Sequence, residues 1–358
     1  MHARLPLAGL ILLAGALAAC RPHPDATSPA ALDAIDASAS AVLQGDSVAA
    51  LDALRTVPAA QFAGRDAEYR DCMLERFGGD GPPAPAREPA DPLARDLLRA
   101  YRTYWRRALA APAQRRQLEE TLHAQVRGLL GDDARGARDW PALEARTIEA
   151  LRRRGVHALM GRTPPLLELM LWRRQETRDE TVALPDGRHT VAVHYLDDFD
   201  SLGWSAYARC ERGSTGGWAT HDGLYAVVPA YDRDGGLDSE TFRVVFFAHE
   251  AQHFADKHRY PPMEGWEYEY RAKLVELALG ESAGDERLRG FASAQSDDPD
   301  SPHTYANRRV MRDLQARLGT EPGAAPRAQR QAAALALLRE DSARRAADAG
   351  PRAAGMPH

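Results

Sequence analysis

Phe246-Phe247-Ala248-His249-Glu250-Ala251-Gln252-His253-Phe254 carries the pattern His-Glu-x-x-His inside a run that reads as a buried helix. Residues four apart share a helix face, so His249 and His253 can offer two imidazole nitrogens to one ion. Glu250 is rotated off that line, within reach of a water on the ion without needing to bind the ion itself. Zinc hydrolysis requires this division of labour: neutral nitrogen ligands, an open coordination position and a nearby carboxylate base. The flanks agree. Val244 to Phe247 on one side and Phe254 on the other make the helix apolar nearly all round, and two histidines and a glutamate buried there are costly unless something satisfies them.

Working outward, a turn at Tyr260-Pro261-Pro262 is followed by a second helical pattern from Trp266 to Leu277, with Tyr270, Leu274 and Leu277 as its apolar stripe. It offers three carboxylates as a third ligand: Glu269, with Glu267 and Glu276 as rivals. The pair of helices resembles the zincin metallopeptidases. A metzincin pattern would need a histidine soon after a glycine downstream, whereas His258 follows His253 too closely and lacks that glycine. The gluzincin (thermolysin-like) pattern takes a glutamate from a second helix, and Glu269 with Ala272 three residues on looks like its Glu-x-x-Ala segment. That resemblance implies one zinc ion per chain held by His249, His253 and Glu269, and peptide-bond hydrolysis with Glu250 as general base. Related gluzincins often carry an aspartate four residues after the ligand glutamate to orient a zinc histidine. Lys273 stands there instead, leaving Asp256 and Glu276 as candidate acceptors. Lys257 and Lys273 are the only lysines in the chain; all other basic residues are arginine.

The N-terminus addresses the chain. Met-His-Ala-Arg precedes an apolar stretch from Leu5 to Leu17 and then Leu17-Ala18-Ala19-Cys20, too short for a spanning helix of about twenty apolar residues. It resembles the bacterial lipoprotein signal, which implies removal of residues 1–19, lipidation of Cys20 and a membrane anchor of several acyl chains. Arg21 is not the aspartate that commonly retains lipoproteins in the inner membrane. The expected location is therefore the outer membrane, facing the periplasm. Cys72 and Cys210 then remain, and an oxidising compartment lets them pair.

With 358 residues and 44% hydrophobic content the chain can bury one or two cores. A formal charge of −5 and no concentrated basic face with interleaved aromatics exclude a nucleic-acid partner. The expected organisation is a tether over 20–30, an N-terminal helical segment over 31–77, a Pro/Gly linker over 78–90 and a helical region over 91–175. A catalytic domain over 176–319 and an exposed helix with a disordered tail over 320–358 complete it. Asp91-Pro92 reads as the cap and first residue of a strong helix; further helices are expected over 118–130, 141–154 and 165–174. Alternation about Pro185-Asp186-Gly187 predicts a hairpin, with more strands at 206–210, 217–220 and 224–231. Gly223 to Val227 is the expected edge strand for an extended peptide. Ser301-Pro302 opens another helix that places His303 in its first turn, and His303 or Tyr305 could donate to an oxyanion. The expected fold is α+β and predominantly helical, zincin-like, with a small antiparallel or mixed sheet ahead of the metal helix. The alternatives are a zinc-binding scaffold lipoprotein without turnover and a zinc hydrolase of cell-wall amides.

Overall fold

A computed structural model describes residues 26–79 and 88–348. Cys20, the expected signal and tether up to residue 25, most of the expected linker and the final residues of the tail lie outside them. The chain divides into two compact units, residues 1–83 and 84–358.

The first unit holds α1 (Pro29–Leu43), α2 (Ser47–Arg55) and α3 (Gly64–Gly78). Ser28 caps α1 by accepting the Ala31 N–H, and Pro29 sits where a missing N–H costs nothing. Asp46 caps α2 in the same way through Val48 and Ala49. Ile35, Val42, Leu54, Phe62 and Met73 are buried.

The second unit begins with α4 (Pro92–Ala110), α5 (Arg115–Leu130) and α6 (Trp140–Arg152). Asp91 caps α4 through the Ala94 N–H with Pro92 at its start, as the sequence predicts. Five strands follow in a mixed sheet, β1 (His157–Thr163), β2 (Leu166–Leu184), β3 (Gly187–Leu202), β4 (Gly217–Ala219) and β5 (Leu224–Val227). The order is β1-β2-β3-β5-β4, antiparallel except for the β3–β5 pair. The fold is α+β and predominantly helical. Cys72 and Cys210 are both disulfide-bonded.

Several expectations are corrected here. Residues 165–174 are not a helix but the first half of β2, and the expected domain boundary at 175/176 falls inside that strand. Leu166 to Trp172 is buried throughout, so the run shows neither helical nor strand periodicity and its apolar pattern alone could not separate the two. Tertiary pairing decides it: β1 lies antiparallel from Thr163↔Leu166 to His157↔Trp172. In addition the Trp105 indole N–H donates to the Leu167 carbonyl at 2.8 Å, while Leu167 N–H donates to the Tyr104 hydroxyl at 3.2 Å.

The expected strand at 206–210 is instead a short helix, α7 (Trp204–Ala208). Gly203 at φ +89° turns the chain into it, and a Cβ there would meet the Glu168 carboxylate at 2.3 Å. That buried carboxylate accepts the Trp204 N–H at 2.9 Å. The third correction concerns the sheet edge. β5 is flanked by β3 and β4, so Gly223 to Val227 is an interior position and β4 is the edge.

The hairpin turn falls where expected, with Leu184 opposite Gly187, but its arms run far beyond the alternating residues that signal it. A π-helical segment (Thr241–Ala248) leads directly into α8 (His249–Arg259). Then come α9 (Gly265–Leu279), α10 (Ser282–Ser293), α11 (Pro302–Leu318) and α12 (Arg327–Asp348). α11 stops at Gly319, which adopts the left-handed conformation a helix terminus favours. α12 is not an exposed helix: Ala333, Ala334 and Leu338 join the core made by β3, β5, α8, α9 and α11. Among the described residues no helix is long and apolar enough to cross a membrane.

Candidate metal centre

α9 is buried on all sides over Glu269 to Leu277, although that span contains Glu269, Arg271, Lys273 and Glu276. Four ionisable groups in such a place require partners, and α8 supplies most of them. His249 Nε2 and His253 Nε2 lie 3.0 Å apart. Glu269 Oε1 is 3.3 Å from His253 Nε2, and Oε2 is 3.7 Å from His249 Nε2. Nitrogen and oxygen ligands at about 2.0–2.1 Å from a tetrahedral ion stand about 3.3 Å from one another. His249, His253 and Glu269 thus form, among the described residues, a buried group able to hold a metal ion, with ligand atoms all within 4.8 Å. The donor set, two imidazoles and a carboxylate, suits zinc chemically.

The rivals for third ligand have other partners. Glu267 completes a capping box with Glu264 at the start of α9 and pairs with Arg345 at 2.8 Å. Glu276, fully buried, approaches His249 from the opposite side: the His249 Nδ1–H donates to its Oε1 at 2.5 Å. Arg287 donates to the other oxygen at 2.6 Å. Burial alone would raise the Glu276 pKa, but the His249 hydrogen bond and the charges around it hold it below the ordinary glutamate range. An ionised Glu276 can only accept, which puts the His249 proton on Nδ1 and leaves the Nε2 lone pair facing the ligand group. For His249 itself, burial lowers the pKa, and the Glu276 hydrogen bond and charge outweigh it to give a net rise. Glu269 is likewise buried, yet hydrogen bonds from His253 and His303 and the charge of His249 hold it well below the ordinary range.

Glu276 therefore fills the role of orienting acceptor for which Lys273 is unsuited. Lys273 Nζ instead lies 3.4 Å from Glu269 Oε2. Asp256 does not orient a ligand histidine: it accepts from Gln252 at 2.8 Å and from Arg271 at 2.8 and 3.0 Å. Glu276→Gln should weaken metal affinity about 10–100-fold, read by competition with a chromophoric chelator. Unchanged affinity would show that the His249–Glu276 bond does not tune the site.

The ligand group lies in a cavity of about 690 Å³, which Glu250 also lines. The facing wall is β4, through Gly217, Trp218 and Ala219, and the π-helical segment contributes Thr241, Val245 and Phe246. A π-helical turn is uncommon and concentrates at functional sites; here it directly precedes His249. Gly217, at φ +150°, lets β4 pass close by, since a Cβ would meet the Tyr225 carbonyl at 2.1 Å and the Phe246 ring at 2.4 Å. Tyr231 holds the approach to β4 by donating its hydroxyl to the Gly216 carbonyl at 2.9 Å. Burial and the nearby Glu250 carboxylate push its phenol pKa up, so it stays protonated.

His303 reaches the cavity, with Nδ1 2.8 Å from Glu269 Oε2 and its side chain 72% exposed. Tyr305 does not. It packs edge-on against Trp266 at 5.2 Å between ring centroids, because two residues along a helix turn a side chain away from the first. Arg287, Tyr231 and Trp218 also line the cavity, and no sequence pattern marks them. Arg287 meets Glu276 from a separate helix, and no local spacing encodes that meeting. Comparison of the chain with protein-family models, with curated proteins and with solved structures finds no match.

Proposed function

We propose that this chain is a zinc-dependent hydrolase of peptide bonds. The observation that carries the reading is the convergence of His249, His253 and Glu269 beside Glu250 at the floor of a cavity walled by an edge strand. A zinc ion there would supply Lewis acidity, polarising a carbonyl and making water acidic enough to ionise near neutral pH. The chain's own residues do the rest. Glu250 accepts a proton from the attacking water and returns it to the leaving nitrogen. β4 offers its free side to an extended peptide, whose backbone can pair with it regardless of sequence. His303, held by its Nδ1 contact with Glu269, lines the cavity as a donor for the developing oxyanion.

The N-terminal sequence supports lipidation at Cys20 and a place on the outer membrane facing the periplasm. One experiment addresses both parts. Membranes bearing the full chain are stripped with chelator, reloaded with zinc, and given an unfolded polypeptide or cell-wall fragments. Hydrolysis of the polypeptide is expected only after reloading, and a Cys20→Ser chain should leave the membrane fraction yet remain active. Stoichiometric zinc with no cleavage of either substrate would replace the enzyme reading with that of a zinc-binding scaffold. Cleavage of wall amides alone would replace the substrate.

A further inference from the structure

The only two lysines of the chain, Lys257 and Lys273, line the same cavity. Their situations differ. Lys273 is buried against Glu269 and over the Phe291 ring. Lys257 is exposed on α8, and among the described residues its one neighbour of note is the Tyr268 ring, 6.0 Å from the ammonium. Every other cation on the cavity wall has a carboxylate partner: Lys273 has Glu269 and Arg287 has Glu276. The wall carries three cationic side chains, Lys257, Lys273 and Arg287, against Glu250, Glu269 and Glu276. These formally balance, so a divalent ion on the ligand group leaves the cavity positive and its open ammonium facing whatever enters.

We propose that Lys257 is a specificity residue that binds a carboxylate of the substrate near the scissile bond. Resting on the peptidase reading, this names the substrate class as peptides that carry a carboxylate close to the scissile bond. Lys257 follows His253 by four residues, on the same face of α8 and about 6 Å further along the axis. Tyr268 bridges that interval, its ring 6.1 Å from that of His253. An extended peptide advances about 3.3–3.6 Å per residue. The recognised carboxylate therefore sits about one to two residues from the scissile carbonyl. Its source is either an acidic side chain or the peptide's own C-terminus, and both present the same group to the ammonium. A charge-assisted contact shielded by bound peptide is expected to give about tenfold discrimination over a neutral isostere.

The test is calorimetric binding to the full chain, metal-free and zinc-loaded, of a short acetylated peptide amide containing glutamate. Its glutamine counterpart is titrated beside it, and then the glutamine peptide with a free C-terminus. One carboxylate probe should bind about tenfold tighter than the neutral peptide, identifying the source. Lys257→Glu should abolish that preference and Lys257→Arg keep it; the residue is exposed, so neither substitution disturbs the core. Equal affinities, absence of binding by all three probes, or a preference that survives Lys257→Glu because it belongs to the metal would each overturn the proposal. Failure of the peptidase reading is distinguishable: hydrolysis would be absent while the Lys257-dependent preference persists.

Discussion

Glu250→Gln should lower kcat for peptide hydrolysis by about two to four orders of magnitude while leaving one metal ion per chain. The amide keeps the shape of the carboxylate but cannot accept a proton. Glu250 shares the cavity with the ligand group and is not a member of it, so metal content separates this variant from His249→Ala or His253→Ala, which should lose metal and activity together. KM should change little, because the lost interaction belongs to the transition state. A Glu250→Gln chain as active as wild type would remove Glu250 from the chemistry. A chain that had lost its metal would make Glu250 a structural part of the site.

The second large effect is expected at Arg271, remote from any bond being broken. Its guanidinium is 1% exposed, grips both oxygens of Asp256 and donates to Asp341 at 2.7 Å. Asp256 lies three residues after His253 and Arg271 two after Glu269. The cluster therefore ties α8, α9 and α12 together close along the chain to His253 and Glu269. Arg271→Ala leaves buried Asp256 without its main partner and takes one of the three arginines from Asp341; it should destabilise the chain by about 3–5 kcal/mol, measured by chemical denaturation. Adding Asp256→Asn to Arg271→Ala should recover part of the loss by removing an uncompensated charge. A change under about 1 kcal/mol would show that the carboxylates find other partners.

Acid sensitivity follows from Asp341 in that cluster; Asp256 is shifted the other way, burial raising its pKa above the ordinary aspartate value. Burial opposes ionisation of Asp341, but hydrogen bonds from Arg345 and Arg271 outweigh it and hold its pKa below the ordinary aspartate value. A depressed acid contributes its full stability above its unfolded pKa and loses it as pH falls through the folded value. Arg271→Ala narrows that interval, so the variant should begin to unfold at higher pH than wild type in an acid titration.

How far the sequence reveals this arrangement depends on whether an element's determinants are local. The spacing of His249 and His253 is a property of one helix, and Glu269 lies on an adjoining one, so their meeting is legible. Asp91-Pro92 and Pro185-Asp186-Gly187 are equally local, and α4 and the hairpin turn appear where those residues require. Leu166 to Trp172 fails for the opposite reason: buried throughout, it carries no periodicity, and β1 and α4 make it a strand. The edge strand fails because neither β4 nor β5 records in its own residues which lies outermost. Glu276 and Arg287 meet across separate helices, and that pairing turns a rival ligand into the orienting partner of His249. The π-helical turn before His249 has no sequence signature that distinguishes it from α-helix.

Whether His249, His253 and Glu269 hold zinc is decided by diffraction from zinc-loaded crystals recorded on both sides of the zinc absorption edge. One anomalous peak per chain is expected, bounded by His249 Nε2, His253 Nε2 and the Glu269 carboxylate, with Glu276 on the far side of His249. A zinc-loaded chain with no peak there, or with its peak at other residues, would contradict that ligand set.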